Sequence, residues 1–548
     1  MENGDSKLKS NSFDGNDYIF ENPLNFEPNE QGLGHLYFTS MKKYQNNTLQ
    51  YLADSGEEDT YSDVLTRCIR TALHLQQRGL TKDDIVILCT NNHKNSCVPF
   101  IASLFIGVPV ASLDPSLSVM DTSHLLREVK PRIIFVIPKA LELIEISLQE
   151  AGAESDIVVF GKTDKYTDFS EFLEPCEDEA KFVPAPVDNL QETALILFSS
   201  GTTGLPKGIL IHHYALLAQA NTVLQSGNSG PVSLSYASLY WISAVLFLTA
   251  TISSGGARLV CSTFDPSELW DLIEKYRLSN LFLIPSQAAD MVNLGRPDGL
   301  DTTSLWSCMT GGAAISEKCL ADFRDLLPGT FVYQVYGQSE VAGIISLFNT
   351  YEVKESLYLH YKPRSVGLVA PGLRCKVVDP DTEKLCGPNE HGELRIDTKL
   401  IMNGYYNKDS SEAFDSGGWL RTGDIVYYDE DKCLFVVDRI KEMLKFKSWH
   451  VAPAMIEQVL TNHPAVGNAV VIGIPHEEDG DYPMGLVILN PEYHGDVQES
   501  DIEHFVAERV PDRMRLRAGV RIMKEFPMTP SGKPKRKELR ERVLRGEL

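Results

Sequence analysis

None of the ten cysteines stands in a Cys-x-x-Cys pair, and no tract is rich in histidine. The spacing of a structural zinc site is therefore missing, and the scattered thiols suit a reducing compartment better than a disulfide framework. Positive charge is also short: 51 Lys and Arg face 75 Asp and Glu, a net charge of −24. That balance excludes general binding to nucleic acid or to an anionic membrane. Any negative substrate must be met by local cations. Long hydrophobic runs are absent too. The nearest, Val98–Leu113 and Leu239–Ile252, fall short of the roughly 18–20 residues a membrane helix needs and are interrupted by proline or polar residues, so both are expected in the core. The first sixteen residues are polar, with no apolar signal-peptide core. The chain ends Arg545-Gly546-Glu547-Leu548 instead of the peroxisomal Ser-Lys-Leu. An intracellular protein is expected, cytosolic or peroxisomal.

What is present is an ordinary globular composition, 43% apolar and 23% charged, over 548 residues. A chain this long exceeds what one core supports, so at least two domains are expected. From Tyr61 to Gly79 apolar residues recur at helical spacing (Val64, Leu65, Cys68, Ala72, Leu75). Short Val/Ile/Leu runs then alternate with helical patterns. Strands are predicted at 84–90, 108–113, 132–137, 156–160, 194–198, 257–261, 280–284, 305–309 and 331–335. Alternation of this kind implies a parallel α/β sheet. From Ser365 the texture changes to alternating β, and the last hundred residues read as a compact α+β unit. The fold class is thus α/β: a large N-terminal domain of parallel α/β sheets plus a β-rich subdomain, then a small mobile α+β domain.

The most informative stretch is Ser199-Ser200-Gly201-Thr202-Thr203-Gly204-Leu205-Pro206-Lys207-Gly208. It carries four hydroxyls, three glycines and one lysine directly after a buried strand, and precedes a helix starting near His213. Glycines let backbone approach a ligand closely, hydroxyls and amides donate to phosphate oxygens, and lysine adds a point charge. The loop suits a polyphosphate. It is not a Walker A loop, because Lys207 follows Pro206 and precedes Gly208. Two further strands end in short turns, Thr310–Ala314 and Tyr336–Glu340. In open α/β sheets ligands bind beyond the carboxyl ends of strands, so the three ends could share one ligand.

Taken singly these signals are weak. Gly423-Asp424 is a common turn, Asp438-Arg439 an ordinary surface pair, and Lys533 lies in a charge run. Taken in order, Ser199–Gly208, Gly311–Ala314, Tyr336–Glu340, Trp419–Asp424, Asp438–Glu457 and Thr529–Lys533 resemble the adenylate-forming superfamily of acyl-CoA synthetases, 4-coumarate–CoA ligases and firefly-type luciferases. The resemblance spans about residues 50–538. It implies attack of a carboxylate on the α-phosphate of ATP, then displacement of AMP by a thiol, usually CoA. Small-molecule acid, ATP, CoA and Mg2+ are the implied partners, with no nucleic acid, in a monomer or weak oligomer.

By the same resemblance, Lys207 and the Ser199, Ser200, Gly201, Thr202, Thr203, Gly204 loop would hold the β- and γ-phosphates. Ser339 would meet the α-phosphate and Glu340 would place Mg2+. Gly312 and Ala313 would line the adenine site, with Tyr336 against the base and Gly337 beside it. Asp424 would accept from the ribose, next to Arg439, and Lys533 would reach the reacting oxygens. The implied domains are a polar arm at 1–35, an adenylation domain at 36–438, a hinge at 439–441 and a C-terminal domain at 442–548. The acyl pocket would use Tyr240, Trp241, Val245, Gly311 and Gly343; the thioester step would use Lys445, Lys447 and Ser448.

Two departures stand out. The family's pocket histidine is missing from Ser238–Ser243, where Tyr240 or Trp241 fills the volume. Ser448 replaces the glycine of Lys-x-Lys-Gly, adding a Cβ beside the pantetheine path. The expected activity is an AMP-forming acyl-CoA synthetase for a medium- or long-chain fatty acid. The alternatives are a luciferase-like adenylating monooxygenase and an impaired acyl- or nucleotide-binding paralogue.

Overall fold

The computed structural model describes residues 18–199, 206–447, 449–493, 497–529 and 532–548. Runs such as Val86–Cys89 and Ile133–Val136 are buried at every position, as expected of parallel strands covered on both faces. They belong to a seven-stranded sheet ordered 207–212, 193–199, 110–113, 86–89, 133–136, 156–159, 167–168. A second seven-stranded sheet runs 331–334, 307–310, 280–283, 232–235, 257–260, 48–52, 58–60. Helices Val98–Phe105, His213–Gln225 and Ile242–Ser254 are buried in the common core. The two apolar stretches noted above thus lie inside the protein. No helix among the described residues is long and apolar enough to cross a membrane.

Helix Tyr61–Gln77 starts as its sequence predicts: Thr60 and Asp63 form a reciprocal capping box, and Gly79 takes φ 75° just beyond the end. Two segments differ from expectation. Lys207–His212 pairs antiparallel with Thr193–Ser199 as an edge strand, so a further strand precedes the helix at His213. The arm expected at 1–35 contributes strand Phe20–Asn22, which pairs with Leu373–Val378.

That pairing extends an antiparallel sheet ordered 20–22, 373–378, 392–398, 420–428, 434–439. The chain then enters a smaller α+β unit. Its sheet combines 449–451, 444–446, 480–489, 466–476 and 520–522, with helices Pro453–Thr461, Glu499–Ala507 and Arg536–Leu544. The basic tail is therefore a helix, docked through an Arg536–Glu457 ion pair.

Asp438 joins the two parts. Its carboxylate accepts from Arg439 N at 2.8 Å and from Ala454 N at 3.0 Å, at the start of helix Pro453–Thr461. An acidic group is favoured at a helix N-terminus, although burial raises the Asp438 pKa above its ordinary value.

Candidate active site

A crevice of about 1750 Å³ separates the large α/β region from the small C-terminal unit. Its walls include Gly312, Ala313, Tyr336, Gly337, Asp424, Arg439 and Lys533, so residues from five separate motifs meet there.

The adjacent strands Leu420–Tyr428 and Leu434–Arg439 place Asp424 opposite Arg439. The two form an ion pair at 3.1 Å, with the carboxylate side chain 5% exposed. Tyr336 donates its hydroxyl to the other Asp424 oxygen at 2.6 Å. Burial and the neighbouring carboxylate hold the Tyr336 phenol well above its usual range. Burial disfavours the Arg439 charge, yet Asp424, Tyr336, Glu340 and Glu442 together outweigh it and raise the guanidinium pKa. Tyr336 reaches this point because Gly337 runs against a neighbouring strand: a Cβ there would lie 2.2 Å from Gly343 O.

Lys533 enters from the small unit. Its backbone N donates to Thr529 Oγ1 at 3.1 Å, and Gly532, at φ 71°, presses on the other wall, where a Cβ would lie 2.9 Å from Ile284 Cδ1. Burial first, and Arg439 second, pull the lysine down to about 8, against the opposing pull of Asp424 and Glu442. Removal of such an electrostatic hub should show in binding. Asp424→Asn keeps the shape but loses the charge, and is expected to weaken ATP binding about ten- to a hundredfold, read by calorimetry.

Glu340 sits in the turn Ser339–Val341, with Ser339 half-buried at its start. Its Oε1 accepts from the Tyr405 hydroxyl at 3.2 Å, and burial raises its pKa. A cation would relieve the cost of ionising that carboxylate, so the residue fits a hard divalent ion. Among the described residues no group of three His, Cys, Asp or Glu is gathered to hold a metal. Such an ion would therefore draw most ligands from phosphate and water. Lys207 is exposed at the hairpin stem, its backbone N donating to Ser199 Oγ at 3.3 Å and its ammonium 4.9 Å from the Tyr405 ring centroid. Ser200, Gly201, Thr202, Thr203, Gly204 and Ser448 lie outside the described residues.

The expected acyl wall is only partly assembled. Trp241 lines the crevice with Tyr240, their rings edge to face at 4.8 Å. Val245, Gly311 and Gly343 are instead packed in the core. A Cβ at Gly311 would strike Val335 Cγ2 at 2.8 Å, and Leu246 and Ile242 fill the space beside Gly343. Lys445 and Lys447 stand exposed on the hairpin Leu444–Phe446/Trp449–Val451, outside the crevice.

Sequence reasoning missed Tyr405, Asp438 as a link between the two parts, and His124, whose Nε2–H donates to Pro206 O at 3.2 Å. Tyr405 follows Asn403-Gly404, a turn signal, but nothing in the spacing ties it to Lys207 or Glu340.

Comparison with known proteins identifies the family to which the two parts of the chain belong. Residues 38–406 match the AMP-binding enzyme family, and 455–533 match the AMP-binding enzyme C-terminal domain. The chain is 31% identical to a luciferin 4-monooxygenase of Nipponoluciola cruciata, over 97% of this chain and 98% of that one. It is 30% identical to a probable CoA ligase, CCL5, of Humulus lupulus, over 89% of this chain and 88% of that one. Among solved structures it is similar to the luciferase-like enzyme of the nonluminescent mealworm Zophobas morio. That likeness has a TM-score of 0.74 at 39% identity, and covers 78% of this chain and 99% of that one.

Proposed function

Because the chain belongs to the AMP-binding enzyme family, we propose that it is a luciferase-like adenylating enzyme that activates a compact, apolar carboxylic acid as its acyl-adenylate. The observation that carries this reading is Lys533 held in the crevice beside the Asp424–Arg439 pair. Attack of a carboxylate on phosphate brings negative charge together. Preorganised cations in a site that excludes water supply most of the stabilisation. In this reading Asp424 and Tyr336 hold the ribose and base, Ser339 meets the α-phosphate, and Lys533 faces the oxygens between which the bond forms. Lys207 and the loop before it take the outer phosphates. Glu340 would hold Mg2+, which neutralises phosphate charge when bound. The segment 439–441 acts as the hinge on which the small unit turns.

The filled space beside Gly343 supports a compact acid over a long chain, since Leu246 and Ile242 already occupy it. The luciferase-like relatives support the same branch. The fate of the adenylate follows two routes. Oxidation by O2 accords with those relatives. Transfer to CoA is favoured by the two exposed hairpin lysines, Lys445 and Lys447, and by the CoA ligase relative.

Pyrophosphate release across a panel of acids, with and without CoA and with light detection, tests the whole reading. Acid-dependent pyrophosphate is expected, strongest for compact aromatic acids. Light without thioester selects the oxidative route, and acyl-CoA selects the other. Nucleotide binding without turnover on any acid overturns the proposal.

A further inference from the structure

One side chain touches both the lysine and the carboxylate assigned above, and neither of those assignments requires it. Tyr405 places its ring 4.9 Å from the Lys207 ammonium and its hydroxyl 3.2 Å from Glu340 Oε1. A cation over an aromatic face is attracted by the ring quadrupole, and a hydroxyl donating to a carboxylate fixes which way that carboxylate faces.

The backbone around Tyr405 is built to hold this position. Met402 N donates to Glu340 O at 2.8 Å, so the segment is tied to the turn carrying the carboxylate. It is equally tied to the strand carrying the lysine. Asn403 N donates to Leu210 O at 2.8 Å, Leu210 N to Gly404 O at 3.0 Å, and Tyr406 N to Gly208 O at 2.8 Å. Gly208 permits that approach, since a Cβ there would lie 3.0 Å from Tyr406 Cβ. Further along, Lys408 pairs with Glu128 at 2.8 Å, and Glu128 lies 3.6 Å from His124, which holds Pro206 at the base of the loop. Residues 402–408 thus form a strap that fastens the hairpin stem to the Glu340 turn.

We propose that Tyr405 is a positioning residue that couples the outer-phosphate lysine to the metal-binding carboxylate. Lys207 is kept over the ring and Glu340 on the hydroxyl, so nucleotide and divalent ion are received in one fixed relation. The inference rests on the adenylation reading, and it divides the work of one side chain into two separable parts.

Tyr405→Phe keeps the ring and removes the hydroxyl; Tyr405→Leu removes both. Mn2+ binding in the presence of α,β-methylene-ATP, followed by electron paramagnetic resonance, reads the metal without turnover. For Tyr405→Phe, Mn2+ affinity is expected to fall about tenfold, with ATP affinity measured without divalent ion unchanged and turnover lowered at subsaturating Mg2+. Excess Mg2+ should restore that turnover. For Tyr405→Leu the same metal loss is expected, with ATP binding in the absence of divalent ion weakened about two- to fivefold. Circular dichroism melts that coincide with wild type exclude a folding origin. Wild-type Mn2+ affinity in Tyr405→Phe, or identical divalent-free ATP affinity in the two variants, overturns the role of Tyr405 alone. If the unaltered protein binds neither nucleotide nor ion, the adenylation reading falls and this inference with it.

Discussion

Lys533→Ala is expected to slow acyl-adenylate formation by about 10²–10³-fold, the usual effect of removing one preorganised charge from a developing phosphoryl or oxyanion centre. Transfer from supplied acyl-adenylate is expected to stay within about twofold, because on the proposed reading the small unit turns on its hinge and carries Lys533 away from the departing AMP before that step. The ammonium is already lowered to about 8 by burial and by Arg439, so a pH signature follows. A lysine is charged below its pKa and neutral above it, and the charged form is the one the reaction uses. The kcat/KM for ATP should therefore fall as pH rises through about 8. The kcat limb should lie higher, since bound phosphates favour the ammonium. Lys533→Arg should lower the plateau and remove the alkaline limb, because a guanidinium stays charged. Pyrophosphate release against pH measures all three. Equal loss in both half-reactions, or an alkaline limb that survives in Lys533→Arg, would contradict the assigned role.

Arg395→Met is expected to cost about 3–5 kcal/mol of stability, the range for breaking a buried ion network on one side. The guanidinium side chain is 2% exposed and contacts Glu393 at 2.9 Å, Asp415 at 3.2 Å and Glu383 at 2.6 Å. Glu393 and Asp415 are almost as deeply buried. Lys376 and Arg421 lie close enough to compensate only in part, at 2.9 Å from Asp415 and 3.3 Å from Glu393. At Asp415 burial opposes ionisation, yet the Lys376 contact and backbone amides prevail and hold the carboxyl at about 2. Methionine would strand these carboxylates without their shared cation. The network joins strands Gly392–Thr398 and Leu420–Tyr428, and the second carries Asp424. Lowered ATP affinity should therefore accompany the earlier denaturant midpoint. A midpoint equal to wild type would show that the neighbouring cations suffice.

Much of this architecture was legible in the chain. Buried strands such as Val86–Cys89 and Asn280–Leu283 announce themselves by composition, and the capped helix at Tyr61 by its spacing. Asp424, Arg439, Tyr336 and Lys533 were marked by their motifs, and the crevice brings them together. Other features were hidden for physical reasons. Lys207–His212 follows a glycine-rich loop, so its strand character depends on pairing with Thr193–Ser199. The acyl wall depends on which side chains crowd Gly311 and Gly343, a matter of packing between distant helices and strands. Tyr405 acts through partners 198 and 65 positions away in sequence, Lys207 and Glu340. No local pattern encodes such a triangle.

Lys533 and the hairpin bearing Lys445 belong to one small body, and only Lys533 faces the crevice while Gly532 rests on Ile284. On the function proposed above, the two lysines would act in turn. A covalent staple pinning the Gly532 loop to its seat should leave an enzyme that discharges one equivalent of pyrophosphate per molecule and then stalls, its first product trapped in place.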